Sequence, residues 1–149
     1  MSDELERVQE IFGGRQALGQ VLETGFDAHQ MLDKGLKSKA LVHLVQKQVK
    51  HIPRDAVLKA IGMSERTYQR HKKTPNKPVS SDQSGRAWKF AEVLAEATRV
   101  MGGQDLAEEW LERPALALNR RRPIDLLSTP AGTEMVMNLL GRLKYGVYT

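Results

Sequence analysis

The chain has 149 residues, 40% apolar and 28% charged, which is the balance of a folded domain or two small ones and excludes a disordered tail. It has no cysteine, so disulfides and thiolate ligand or nucleophile chemistry are excluded, and no apolar run reaches the roughly 20 residues that span a bilayer. The net charge of +5 is unevenly placed: residues 34–77 hold 12 Lys/Arg against only Asp55 and Glu65, whereas residues 80–149 hold nine of each sign.

Residues 3–12 read as a short amphipathic helix, with Leu5, Val8, Ile11 and Phe12 on one face and a break at Gly13-Gly14. Short helices are expected around 16–22 and 27–34, each followed by glycine, with Phe26, Met31 and Leu32 in the core. Residues 38–50 carry a stronger pattern. Ser38 can cap a helix there, and Leu41, Leu44, Val45 and Val49 fall on one face with Lys39, Lys47 and Lys50 elsewhere.

The next segment, PRDAVLKAIGMSERTYQRHKK, has the build of a helix-turn-helix. Pro53 suits a helix start, Val57, Leu58 and Ile61 supply a buried face, Gly62 makes the turn, and Ser64 caps a second helix over 65–73. In such a motif the second helix enters the major groove, its early side chains meeting base edges while basic groups hold phosphates. Ser64, Arg66, Thr67, Gln69 and Arg70 have the chemistry of base contacts, and Lys72 and Lys73 (with Lys77) that of phosphate contacts. Tyr68 fits either a base-facing or an inward position, the inward one being commoner in that register. The alternatives are an ordinary helical corner and a merely solvated basic face, but the charge block favours a polyanion through counterion release.

The turn Thr74-Pro75-Asn76-Lys77-Pro78 cannot continue the helix, and a domain boundary is placed after it, giving domains 1–78 and 79–149. A long helix is expected over 84–101, with Trp88 as a core residue rather than a base-stacking one, closed by Gly102-Gly103. A shorter helix follows over 104–112, with Leu106, Ala107, Trp110 and Leu111 apolar against Glu108, Glu109 and Glu112; Pro114 ends it. Asn119-Arg120-Arg121-Arg122 is an arginine-rich turn, open to nucleic acid, to an acidic protein surface, or to plain exposure. Pro123 then starts one helical turn. Thr129-Pro130 pairs a capping side chain with a ring suited to the first helical position, and Val136, Leu139, Leu140 and Leu143 mark the buried face of a last helix that Gly146 stops.

No catalytic constellation is visible. His29, His43, His51 and His71 lie outside metal-ligand spacing, no glycine-rich phosphate loop follows a strand, and Glu108 and Glu109 occupy adjacent helical positions that point apart. The expectation is a binding protein with no cofactor and no metal, all-helical, cytoplasmic and without a membrane partner, since Met1 leads into acidic polar sequence rather than a signal-like segment.

The C-terminal half resembles the toxin-binding domain of the MbcA/ParS/Xre antitoxins. The residues that carry the likeness are Ala107, Trp110, Leu111 and Pro114, then Pro123-Ile124-Asp125-Leu126-Leu127, Gly132, and Leu140-Gly141-Arg142-Leu143-Lys144-Tyr145-Gly146-Val147-Tyr148. The whole chain is similar to the bacterial Xre-type antitoxin of a type II RES/Xre pair. That resemblance implies an all-α protein that dimerises, neutralises a RES-domain toxin acting on NAD, and represses its own operon by binding operator DNA. It makes Trp110 and Leu111 core and puts Arg142, Lys144, Tyr145, Val147, Tyr148 and Thr149 against the toxin. Two stretches depart from the family pattern: the arginine turn stands where relatives tend to have a glycine-containing turn, and Gly85-Arg86-Ala87-Trp88 replaces Arg-Leu pairs. The competing reading is a stand-alone transcriptional regulator whose C-terminal domain only dimerises.

Overall fold

In the computed structural model, which describes residues 3–146, a 21-residue helix, α7 (Ser81–Met101), is the surface on which five of the other helices pack. Ser80 caps it, its hydroxyl accepting from the Gln83 amide at 3.1 Å, and Gly102 ends it in the left-handed region at φ 92°. Between Ala87 and Ala97 its buried side chains run almost consecutively, through Trp88, Phe90, Ala91, Val93, Leu94 and Ala95. A helix apolar on nearly all sides must be enclosed by others. Helices α1 (Asp3–Ile11), α3 (Gly25–Lys34), α5 (Arg54–Ile61), α8 (Gln104–Leu111) and α10 (Pro130–Lys144) all pack on it. Trp88 is a core residue as expected, its ring stacked on Phe12 at 5.8 Å between centroids.

The remaining elements are α2 (Gly14–Leu18), α4 (Ser38–Val42), α6 (Glu65–Lys73), α9 (Pro123–Leu126) and a 3₁₀ turn at Leu116–Leu118. The fold class is all-α. Among the described residues there are only isolated bridges, Lys37 to Pro78 and Ala115 to Arg121, and no described helix is long and apolar enough to cross a membrane.

Two details differ from the sequence reading. Phe26 is 67% exposed rather than core. Thr24 and Asp27 form a capping box that starts α3 at Gly25, which leaves Phe26 about 200° around the helix from Ala28 and off the face that Ala28 and Met31 bury. The second concerns residues 38–50, where α4 is α-helical only to Val42 and continues as a π-helical run, His43–Gln48, closed by Val49 N to Leu44 O at 3.1 Å. Ser38 does not cap it. Lys37 holds that position, and the buried Ser38 hydroxyl donates to the Lys77 carbonyl at 2.7 Å. The proline turn 74–78 is stitched to the same strip through Ser38 N to Lys77 O, Lys39 N to Pro75 O and Val79 N to Leu36 O, at 2.7 to 2.9 Å.

Candidate nucleic-acid and partner-binding surfaces

Helix α5 buries Val57, Leu58, Ala60 and Ile61 and ends at Gly62, whose φ of 81° lets its amide reach the Leu58 carbonyl at 2.8 Å. A Cβ on Gly62 would also overlap the Arg86 guanidinium. Arg86 lies there because its Nη2 donates to the carbonyls of Ala60, 3.1 Å, and Ser128, 2.9 Å, while Gln83 Nε2 donates to the Gly62 carbonyl at 2.9 Å. Two side chains of α7 thus satisfy the open carbonyl end of α5. A charged residue one position before a buried Ala-Trp pair was the available sequence signal for this clamp.

Ser64 caps α6, its Oγ accepting from the Thr67 amide at 3.1 Å and donating to Thr67 Oγ1 at 3.1 Å. Beyond it the helix divides cleanly. Tyr68 and His71 face inward, 0% and 7% exposed, so Tyr68 takes the core position. Arg66, Arg70 and Lys73 are exposed at the spacing of one outward stripe, with Gln69 half-buried beside them and Thr67 and Lys72 on the flanks. Of the eight residues expected to meet DNA, six therefore lie on α6, Ser64 caps it, and Lys77 lies beyond it in the proline turn. They are not equivalent in this state: Gln69 Nε2 is held by Glu65 at 2.6 Å, and Glu65 in turn pairs with Arg54 Nε at 3.1 Å. The Tyr68 ring carries two cations, the Arg54 guanidinium at 5.4 Å and the Lys72 ammonium at 6.0 Å from its centroid. Its hydroxyl is buried with no hydrogen-bond partner among the described residues, and burial pushes its pKa up.

The other surface is the α9–α10 elbow and the end of α10. Pro123 opens α9, and Arg122 folds along its first turn, its Nε and Nη2 donating to the Asp125 carboxylate at 2.8 and 2.9 Å. That pairing lowers the Asp125 pKa, the Arg122 hydrogen bond being the chief cause. Arg122 is therefore a helix-start ligand, whereas Arg120 and Arg121 are exposed. Asn119 and Arg120 both adopt positive φ, 60° and 65°, which is where a glycine would sit without strain. Thr129 Oγ1 caps α10 by accepting from Gly132 N at 3.0 Å. Val136, Leu139 and Leu140 are buried as expected, Leu111 is fully buried, and Trp110 is half-buried.

At the end of α10, Lys144 and Tyr145 are exposed, with the ammonium 5.5 Å from the ring centroid. Arg142 is half-buried, and its Nε is buried without a hydrogen-bond partner among the described residues. Val147, Tyr148 and Thr149 lie outside the described residues. An open groove of about 800 Å³ runs between the first turns of α7 and α10, lined by Arg86, Phe90, Leu127, Pro130, Thr133 and Met137 among others. Among the described residues no group of three or more His, Asp or Glu side chains is placed to hold a metal ion.

The sequence pattern sets Glu108 with its acidic neighbours on a polar face. It is instead 0% exposed. Its Oε1 accepts from the amides of Lys50, His51 and Ile52 at 3.0, 2.7 and 3.2 Å, and its Oε2 accepts from Gln104 Nε2 at 2.8 Å. Gln104 also reaches the Gln48 carbonyl at 2.6 Å. Its neighbour Glu109 is exposed and pairs with Arg113, so the two carboxylates do point apart. The loop ahead of α5 is locked to α8 by this carboxylate, which joins the helix-turn-helix to the C-terminal helices.

Comparison with known proteins divides the chain at α7. Residues 27–92 match the Antitoxin Xre-like helix-turn-helix domain, and residues 96–146 match the Antitoxin Xre/MbcA/ParS C-terminal toxin-binding domain. Similar curated proteins are each called Antitoxin Xre. One from Yersinia enterocolitica is 32% identical over 99 residues, 66% of this chain and 66% of that protein. One from Photorhabdus laumondii is 33% identical over 92 residues, 61% of this chain and 62% of that protein, and one from Pseudomonas putida is 25% identical over 126 residues, 84% and 76%. The chain thus matches just under two thirds of the length of the first two relatives. Its two matched modules follow in order along nearly the whole described fold, and the chain belongs to the Xre/MbcA/ParS antitoxin family.

Proposed function

We propose that this chain is the antitoxin of a type II pair, neutralising a RES-domain toxin that degrades NAD and repressing its own operon as a homodimer on operator DNA. The observation that carries the reading is the presence on one body of two differently built surfaces: the exposed basic stripe of α6 and the exposed cationic and aromatic end of α10. A homodimer supplies the two-fold symmetry needed to read half-sites about one helical turn apart.

On DNA, Arg66 and Arg70 are suited to bidentate contacts with guanine edges, and Gln69 reads adenine once it leaves Glu65. Arg66→Ala and Arg70→Ala are expected to reduce discrimination between operator and random duplex by roughly 1–3 kcal/mol, whereas Lys72→Ala weakens all duplexes alike. Binding isotherms on both duplexes check this, and equal behaviour of the three variants would remove α6 from the recognition role.

On the toxin side, the exposed end of α10 and the residues that follow it in sequence, Val147, Tyr148 and Thr149, are read as entering the NAD site of the partner or packing beside it. Deleting residues 147–149 is expected to leave folding and DNA binding intact while weakening inhibition. The test is co-expression with the product of the neighbouring gene, purification of the complex, and measurement of NAD loss with and without this protein. Failure to co-purify, together with retained operator binding, would favour a stand-alone regulator; full inhibition by the truncated protein would count against the tail as a plug.

A further inference from the structure

A cavity of about 250 Å³ opens on the flank of α6, away from the stripe that carries Arg66 and Arg70. Basic residues from several elements line it, Lys39 from α4, His43 and Lys47 from the π-helical run, and His71 and Lys72 from α6, together with Ala17 of α2, Val42 of α4 and Pro75 of the proline turn. Among the described residues no acidic side chain lines it. Three lysines around one opening repel each other, and an anion among them relieves that repulsion.

Two observations show that the site is built. His71 is 7% exposed and its ring is fixed: Ser38 Oγ spends its only proton on the Lys77 carbonyl at 2.7 Å, so at 2.8 Å it must accept from Nδ1–H of His71. The remaining nitrogen, Nε2, is left for the cavity. The wall carrying His43 and Lys47 is π-helical, a rare geometry that collects at functional sites. It brings the His43 and Lys47 side chains to the same opening as Lys39.

We propose that this cavity is a phosphate site, filled by a backbone phosphate of duplex DNA lying along α6, with His71 and His43 joining the lysines as donors when protonated. The proposal rests on, and deepens, the reading of α6 as a DNA-contacting helix. It adds a proton-linked contact that the helix-turn-helix motif alone does not imply. In the protein without phosphate, burial holds both histidines below the usual imidazole value, helped by Lys47 at His43 and by Arg70 at His71. A phosphate placed among them reverses that balance, so binding takes up a proton and tightens as the pH falls through the imidazole range.

The test uses the full chain and a labelled duplex spanning the promoter upstream of its own gene. The wild type should bind several-fold more tightly at about pH 6 than at about pH 8. His71→Asn, which keeps a donor for Ser38 but lacks the second ring nitrogen, should lose most of that dependence. Lys47→Gln, at an exposed position, should reduce the salt slope of binding by about one at both pH values and carries the test if His71→Asn melts. If both variants keep wild-type affinity, pH dependence and salt slope while Arg70→Ala loses operator discrimination, the phosphate site is wrong and the α6 reading stands. If the wild type binds no duplex, the α6 reading fails, and inorganic phosphate decides the site, read from the histidine ring resonances with chloride at matched ionic strength as control. Saturable shifts at His43 and His71 that Lys47→Gln abolishes would then assign the cavity to free phosphate, and their absence would overturn it.

Discussion

Glu108→Ala is expected to destabilise the protein by about 3 kcal/mol, a fall of roughly 10 °C in Tm for a chain of this size. Three consecutive backbone amides converge on one carboxylate whose residue is fully buried. The cause lies in the local chain. Val49 is extended and Pro53 disfavours helix in the residue before it, so the amides of Lys50, His51 and Ile52 have no helical acceptor. Hydrogen bonds to a charged acceptor are each stronger than neutral ones, and removing the acceptor leaves the donors to pay their desolvation cost. Glu109→Ala, one residue on at an exposed ion pair, should stay within about 0.5 kcal/mol of the wild type. Thermal melts of the two variants side by side check the claim, and equal Tm values would mean that Glu108 does not lock the loop. Since this carboxylate bridges the two family modules, Glu108→Ala is also expected to broaden or split the melt.

The contrast between the two glutamates shows what could be read from the chain and what could not. Helix α6 was legible in full, because Gly62 before it and Ser64 at its cap are local signals whose effects do not depend on the rest of the fold. The start of α10 was legible for the same reason, through Thr129-Pro130. Its tail beyond Gly146 falls outside the described residues. Glu108 was not legible, since the amides that donate to it belong to a loop 56 to 58 residues earlier. The usable hint was its position three residues before the buried Leu111 and four after Gln104. Ser38 misled for a related reason: it has the right chemistry for a cap, but the proline turn and His71, more than 30 residues away, claim its hydroxyl first. The π-helical run has no periodicity of its own in so short a stretch, and the cavity it walls is assembled from four separate elements.

Gly132→Ala is the second substitution expected to act strongly, by about 3 kcal/mol of lost stability. Gly132 is buried in the first turn of α10, and a Cβ there would overlap the Leu126 carbonyl oxygen, with Thr129 Oγ1 at 3.0 Å on its other side. The obstacle is backbone, so no rotamer change relieves it, and the α9–α10 elbow has to open. Opening it moves the whole of α10 and should weaken toxin binding along with stability. Gly141, in the same helix, gives the opposite expectation: among the described residues nothing lies within 4 Å of the place its Cβ would occupy. Gly141→Ala should therefore stabilise the isolated protein by about 1 kcal/mol, the ordinary gain at a helix interior. A mid-helix glycine beside open space, one residue before Arg142, suits the close approach of a partner's backbone, so the same variant should bind the toxin less tightly. Melting curves and toxin titrations on both variants separate the effects. A wild-type Tm for Gly132→Ala would refute the elbow, and unchanged toxin affinity for a stabilised Gly141→Ala would move the contact elsewhere on α10.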